Sequence, residues 1–240
     1  MARRLFDITI AATALFLIAP IMLAAAIGIR LSSPGPVFYK ANRVGRNRQL
    51  FTMYKLRTMH CRTVAGSSIT ASNDPRVFTV GRILRALKID ELPQLVNVLK
   101  GDMAIIGPRP EAPDIVEKYY TPDYLRSLAV KPGLSSPGSI CYYTHGEQLL
   151  ADGEAEEFYV TRLLPVKMAI DLEYQDRATM VGDLGIIFRT ALTLAQKAMG
   201  RKDFPEPPQL AQLRNKDAER GSVHTDPSRT DSAPDLRRAA

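Results

Sequence analysis

The chain has 240 residues, and its 32 Lys and Arg against 25 Asp and Glu give +7 at neutral pH. That length supports one compact domain with appendages, and the charge selects polyanionic partners: nucleic acid, anionic lipid or phosphorylated substrates. Nucleic acid is the weakest of these, because zinc-finger spacing, an RNP-like aromatic run and tryptophan are all missing from the sequence. Cys61 and Cys141 lie far apart without metal-ligand spacing and read as structural thiols of a reducing compartment.

Arg3 and Arg4 lead into an apolar run from Ile8 to Ile29, long enough to span a bilayer. The basic start and Ala24-Ala25-Ala26 suit a cleaved signal peptide, but Asp7 and the overlong apolar core count against one. A single span conflicts with its flanks. Arg3 and Arg4 before the run, and Arg30, Lys40, Arg43, Arg46 and Arg48 after it, both favour the cytoplasmic side. Pro20, near the middle, frees a carbonyl and bends a helix. A re-entrant membrane helix over 1–33, turning at Pro20, accommodates both facts.

Ser32-Ser33-Pro34-Gly35-Pro36 ends that segment and opens a domain expected over 34–202. Val37–Lys40 reads as a short strand, Asn42–Asn47 as a turn, and Phe51–Met59 as strand or extended chain. The basic residues here suit contact with anionic headgroups, worth about 1 kcal/mol per Lys or Arg. Cys61 to Asn73 is small, polar and irregular, expected as a mobile segment near the site, and Ser72-Asn73-Asp74-Pro75-Arg76 reads as a turn.

The most informative stretch runs from Val80 to Pro110. Val80, Ile83, Leu84 and Leu87 recur at helical spacing with Arg82, Arg85 and Lys88 between them. Leu92, Leu95, Val96 and Leu99 then repeat the period until Gly101. Asp90 and Glu91 interrupt the pattern. Pro93 is tolerated only in a first turn, so a new helix is expected to start near Asp90, with Asp90 as its N-cap. On residue types alone, an Asp cap followed by Glu is ordinary helix punctuation. Gly107-Pro108-Arg109-Pro110 is a stiff loop that can hold an arginine ready for a phosphate, or serve only as a connector.

The run Asp-Glu-Leu-Pro-Gln-Leu, with Asn97, Lys100-Gly101-Asp102-Met103 and Gly107-Pro108-Arg109-Pro110 after it, resembles the core signature of the bacterial sugar transferases, the monotopic phosphoglycosyl transferases. The resemblance extends from near Arg3 to about Ala198. It implies a re-entrant N-terminal helix in the inner membrane of a bacterium, with the catalytic domain on the cytoplasmic face. The family usually carries Ser-Pro at the bend; here Ala19-Pro20 leaves Thr13 as the nearby hydroxyl. Asn42-Arg43 and Lys55-Leu56-Arg57-Thr58-Met59 match motifs lining the family's active site, so Arg43, Lys55 and Arg57 join Arg85 and Arg109 as phosphate-side candidates. Lipid contact explains Arg43, Lys55 and Arg57 equally well.

Glu111 to Leu128 reads as helical with a break at Pro122. Lys131-Pro132-Gly133-Leu134 opens another family motif, whose usual continuation ends in an Arg expected at the nucleotide phosphate. Here Ser135 to Glu147 departs from it, removing that Arg and supplying Tyr142, Tyr143 and His145. Glu154 to Asp176 reads as helices on the core. Asp183 to Met199 is amphipathic, with Leu184, Ile187, Phe188, Ala191, Leu192 and Ala195 on one face, and either docks on the domain or lies in the membrane interface. The tail, 203–240, rich in proline and charge, is expected to be disordered.

The resulting expectation is an α/β domain, mostly helical with a small sheet, on a bent membrane helix. Asp90 is the expected nucleophile toward the sugar-bearing phosphorus of a nucleoside diphosphate sugar, with uridine the expected nucleoside. A polyprenol phosphate is the acceptor, and Glu91 is a metal ligand or general base. Mg2+, held by Asp90 and Glu91, would neutralise the diphosphate. A membrane-bound pyrophosphatase and a lipid-binding scaffold without catalysis are the competing readings, and a homo-oligomer is left open.

Overall fold

The computed structural model describes residues 1–61, 74–146, 155–201, 203–208 and 211. The chain divides into one compact unit, Met1–Pro205, and a C-terminal one, Glu206–Ala240. The segment expected to be mobile falls, beyond Cys61 itself, outside the described residues, as do Glu147 and nearly all of the tail.

Helix α1 (Ala2–Ser32) is continuous, with Pro20 inside it, so the expected turn does not interrupt the helix. Its apolar middle faces outward, with Phe16, Leu17 and Leu23 each well exposed. Both end regions are fastened to the domain. Near the start, Arg4 donates to the carbonyls of Val98 and Leu99, and Asp7 accepts the Ile105 N–H. Near the finish, Ala25 and Ile29 pack with Leu56, Phe78 and Leu84.

Strands β1 (Phe38–Val44) and β2 (Leu50–Leu56) form an antiparallel hairpin, with Phe38 opposite Leu56 and Val44 opposite Leu50. Asn47 and Arg48 turn it with positive φ. Helix α2 (Thr79–Ala86) and helix α3 (Gln94–Lys100) follow, then strand β3 (Ala104–Ile106). Helices α4 (Pro113–Tyr119) and α5 (Pro122–Leu125) are separated near Pro122, as the sequence suggests. Strand β4 (Gly133–Ser135) pairs parallel to β3, and α6 (Pro137–Cys141) leads into a π-type turn at Tyr142–Gly146. Helices α7 (Ala155–Phe158), α8 (Leu164–Asp176) and α9 (Met180–Ala198) complete the unit. The described residues are thus mostly helical, with two separate two-stranded sheets in place of one small sheet.

The main core gathers Ala11 of α1, Ala41 and Met53 of the hairpin, Leu95 and Val98 of α3, Ile105 and Ile106 of β3, Ile140 of α6 and Ile186 of α9. Helix α9 turns Asp183, Ile186 and Thr193 inward and leaves Leu184, Phe188 and Leu192 exposed, Phe188 at 71%. A helix docked through a partly polar stripe, with its apolar stripe outward, has the form of an interfacial helix.

Asn97 joins the hairpin to α3. Its side chain accepts the Tyr54 N–H at 3.0 Å and donates to the Thr52 carbonyl at 2.7 Å and to Asp102 Oδ2 at 3.1 Å, with no exposure to solvent. Asn97→Ala should lower stability by about 3 kcal/mol, because backbone groups of β2 lose their buried partner. The shift of a denaturation midpoint measures this.

Candidate active site

Asp90 and Glu91 stand on a 3-10 turn, Ile89–Glu91, between α2 and α3. Lys88 enters the turn with left-handed backbone, φ 56°. The turn closes by short-range bonds, Glu91 N–H to Lys88 O and Leu92 N–H to Ile89 O, both 3.2 Å. The expected N-cap at Asp90 is thereby corrected. Pro93 itself takes the cap position of α3, since it has no N–H to give and its φ of −60° already suits a helix. The Asp90 carboxylate is not used in capping.

Asp90 is buried, and its Oδ1 finds no hydrogen-bond partner among the described residues. Glu91 is its opposite in every contact. Glu91 Oε1 accepts Lys55 Nζ at 3.2 Å and Arg109 Nη2 at 2.5 Å; Oε2 accepts Arg109 Nη1 at 2.9 Å and the Tyr143 hydroxyl at 3.2 Å. These environments pull the two acids apart. Burial, then the charge of Glu91, push the Asp90 carboxyl above the usual range, against the cations Lys55, Lys88 and Arg85. Burial opposes the charge on Glu91 too, but Arg109 and Lys55 overcome it and hold that carboxyl well below its usual range.

Arg109 reaches the acids from the loop after β3. That loop is seated on β4: Gly107 N–H donates to the Ser135 carbonyl at 3.0 Å, and Gly133 N–H to the Pro108 carbonyl at 2.9 Å. A Cβ on Gly133 would sit 2.1 Å from the Gly107 nitrogen, so only glycine permits this approach. Lys55 comes from β2, and Arg43 lies on the same face of the hairpin, two register pairs of like parity away. Arg43 senses the charges of Glu111 and Arg109.

A family model described as bacterial sugar transferase matches residues 1–197. The chain belongs to the bacterial sugar transferase family. It is 37% identical over 198 residues to a UDP-glucose:undecaprenyl-phosphate glucose-1-phosphate transferase of Caulobacter vibrioides, covering 81% of this chain and 70% of that protein. It is 34% identical over 205 residues to the exopolysaccharide production protein PSS of Rhizobium leguminosarum bv. phaseoli, with 82% and 97% covered. With a UDP-N-acetylgalactosamine-undecaprenyl-phosphate N-acetylgalactosaminephosphotransferase of Aeromonas hydrophila it shares 39% over 196 residues, but spans only 43% of that protein.

For this sugar transferase, the fold brings Asp90, Glu91, Lys55 and Arg109 together and sets Arg43 beside them. Arg85 is within electrostatic reach of Asp90 while its Nε donates to Thr58 Oγ1 at 2.9 Å. Arg57 goes elsewhere. Its guanidinium donates to Ser33 Oγ and the carbonyls of Ser33 and Pro34, closing the exit of α1. His145 bonds to Thr144 Oγ1 at 2.7 Å and the Phe204 carbonyl at 3.3 Å, away from the acids. Two residues escape a reading by charge. Tyr143 comes from the loop that departs from the family pattern, where only an aromatic pair among small residues hints at a role. Gln94, 1% exposed, has no partner for either Oε1 or Nε2 among the described residues. Its signal in the sequence is its place four residues beyond Asp90.

Proposed function

We propose that the chain transfers a sugar phosphate from a uridine diphosphate sugar to polyprenol phosphate through an aspartyl-phosphosugar on Asp90, initiating surface glycoconjugate or exopolysaccharide assembly. One observation carries this reading: a buried carboxylate with an unpartnered oxygen beside a second carboxylate whose oxygens are fully engaged by cations and a phenol. The names of the relatives supply the substrate class.

In the first step an Asp90 oxygen forms a bond to the sugar-bearing phosphorus, and the bond from that phosphorus to the bridging oxygen breaks. Uridine monophosphate leaves with the electron pair. In the second, a phosphate oxygen of polyprenol phosphate attacks the same phosphorus and Asp90 departs as carboxylate. Arg109 and Lys55, with Arg43 and Arg85 behind them, stabilise the negative charge that develops on the transferring group. Glu91 holds Arg109 and Lys55 in place before the donor arrives.

Two unpartnered oxygens support a divalent cation here, although no cluster of three or more acidic, histidine or cysteine side chains gathers among the described residues, so substrate phosphates would have to complete its shell. Asp90 Oδ1 and Gln94 Oε1 are buried oxygens without partners, the hard ligands that Mg2+ takes together with substrate phosphates. Glu91 would join them only by giving up one of its cations. Bound there, Mg2+ would neutralise the diphosphate.

The exposed apolar middle of α1 and the outward stripe of α9 support attachment to the cytoplasmic leaflet of the inner membrane, and the fastening of both ends of α1 to one domain supports keeping those ends on the same side of it. Attachment there would bring Asp90 within reach of both a lipid phosphate and a cytosolic donor. Incubation with a panel of uridine diphosphate sugars, with and without polyprenol phosphate, tests the reading. Uridine monophosphate together with lipid-linked sugar is expected. Free sugar phosphate formed without the lipid would indicate a pyrophosphatase, and no turnover by the protein on any donor would leave a lipid-binding scaffold.

A further inference from the structure

We infer that Tyr143 is the positioning residue that sets the acid turn against Arg109; the inference rests on the proposed transfer reaction and adds a residue to it. Tyr143 is 4% exposed and touches three separate parts of the site. Its hydroxyl donates to Glu91 Oε2 at 3.2 Å and accepts from Arg109 Nη1 at 2.9 Å. Its ring receives the Lys88 ammonium 4.1 Å from the centroid. A phenol is suited to this place because one oxygen both gives and takes a bond.

Beside the hydroxyl bonds, which hold Glu91 and Arg109, the Lys88 contact adds a route to Asp90. Lys88 is a non-glycine residue in left-handed backbone at the entrance to the acid turn, a conformation that persists only when the surroundings enforce it. A cation held over an aromatic face contributes to that restraint. With the Lys88 side chain fixed, so is the backbone from which Asp90 projects two residues later. Tyr143 therefore reaches Asp90 through Lys88, and Glu91 and Arg109 directly.

Tyr143 is itself held from behind. It sits in the π-type turn, whose extra width marks places where a side chain is re-aimed. Lys197 of α9 donates to the Tyr143 carbonyl. Thr144 ties the same turn to the Ile140 carbonyl at 2.9 Å, and Tyr142 packs edge-on against both Tyr143 and Tyr159. One residue thus links helix α9, through its carbonyl, to Glu91, through its hydroxyl.

The test uses the full chain in membrane mimetic, with a donor active in the panel and polyprenol phosphate. Tyr143→Phe keeps the ring over Lys88 and loses the hydroxyl; kcat should fall about tenfold with donor KM changed less than twofold. Tyr143→Leu loses both and should fall at least about a hundredfold. Wild-type kcat in the Phe variant, or a loss confined to KM, would overturn the assignment, and the Phe variant decides alone if the Leu variant does not fold. Should the wild-type chain turn over no donor, the transfer reaction falls instead. The place of Tyr143 is then decided by a thermal-midpoint cycle of Tyr143→Phe with Glu91→Gln: non-additive shifts support it and additive shifts overturn it.

Discussion

Asp90→Asn should reduce transfer at least about a thousandfold and leave no sugar phosphate on the protein, since a carboxamide of the same shape lacks the nucleophilic oxyanion. The substitution is mild for the fold. Asp90 caps no helix, makes no ion pair closer than 4 Å among the described residues, and carries a carboxyl whose charge burial already opposes. Acid-quenching a reaction with donor labelled in the sugar, then following label on the polypeptide, measures the adduct. Label that persists on the Asn variant would move the nucleophile to another residue. The same chemistry sets the pH dependence. Asp90 must be ionised to attack, so kcat/KM should fall as pH drops through its pKa, which burial and the neighbouring Glu91 raise and which Mg2+ held by Asp90 would lower. A kcat/KM with no acid limb at all would contradict an ionised Asp90 as the nucleophile.

Local patterns in the chain were enough to place the acids between two helical runs and to find the Pro-Arg-Pro loop, two extended segments and α9, because each is coded by contiguous spacing; they made Asp90 a helix cap and put the turn at Asn42–Asn47, where β1 still runs to Val44. Where one residue's fate depends on distant chain, the sequence was silent. Lys55 and Arg57 have the same strand parity, and alternation alone would place both at the acids. But β2 ends at Leu56, and Arg57 turns instead to the carbonyls at the end of α1. Pro20 reads as a turn because proline frees a carbonyl and bends a helix, yet α1 stays helical through it. The exposed stripe of α9 follows from periodicity, while its inward stripe of Asp183, Ile186 and Thr193 depends on Tyr174 and Arg3 meeting Asp183. Tyr143 is the extreme case. Fifty-two residues separate it from Glu91, and only the fold joins them.

Arg109→Ala tests the other half of the site. Removing the guanidinium deletes two bonds to Glu91 and one to Tyr143, leaving Glu91 with Lys55 and the phenol. Stability should drop by about 3 kcal/mol, because breaking a buried pair strands the partner charge. The Glu91 carboxyl, now opposed by burial with Lys55 and Lys88 as its remaining cations, should rise toward Asp90, so that the two acids come to compete for one proton. Turnover should fall about a hundred- to a thousandfold, the range for losing one preorganised charge donor. Arg109→Lys should recover little, since a point charge cannot give two parallel bonds to Glu91. Membrane attachment is the control, because it depends on α1 and α9 and not on this loop. Turnover assays paired with flotation on anionic vesicles separate the two. Equal loss of turnover and flotation would make Arg109 a lipid contact, whereas loss of turnover with flotation intact assigns it to the transferring phosphate.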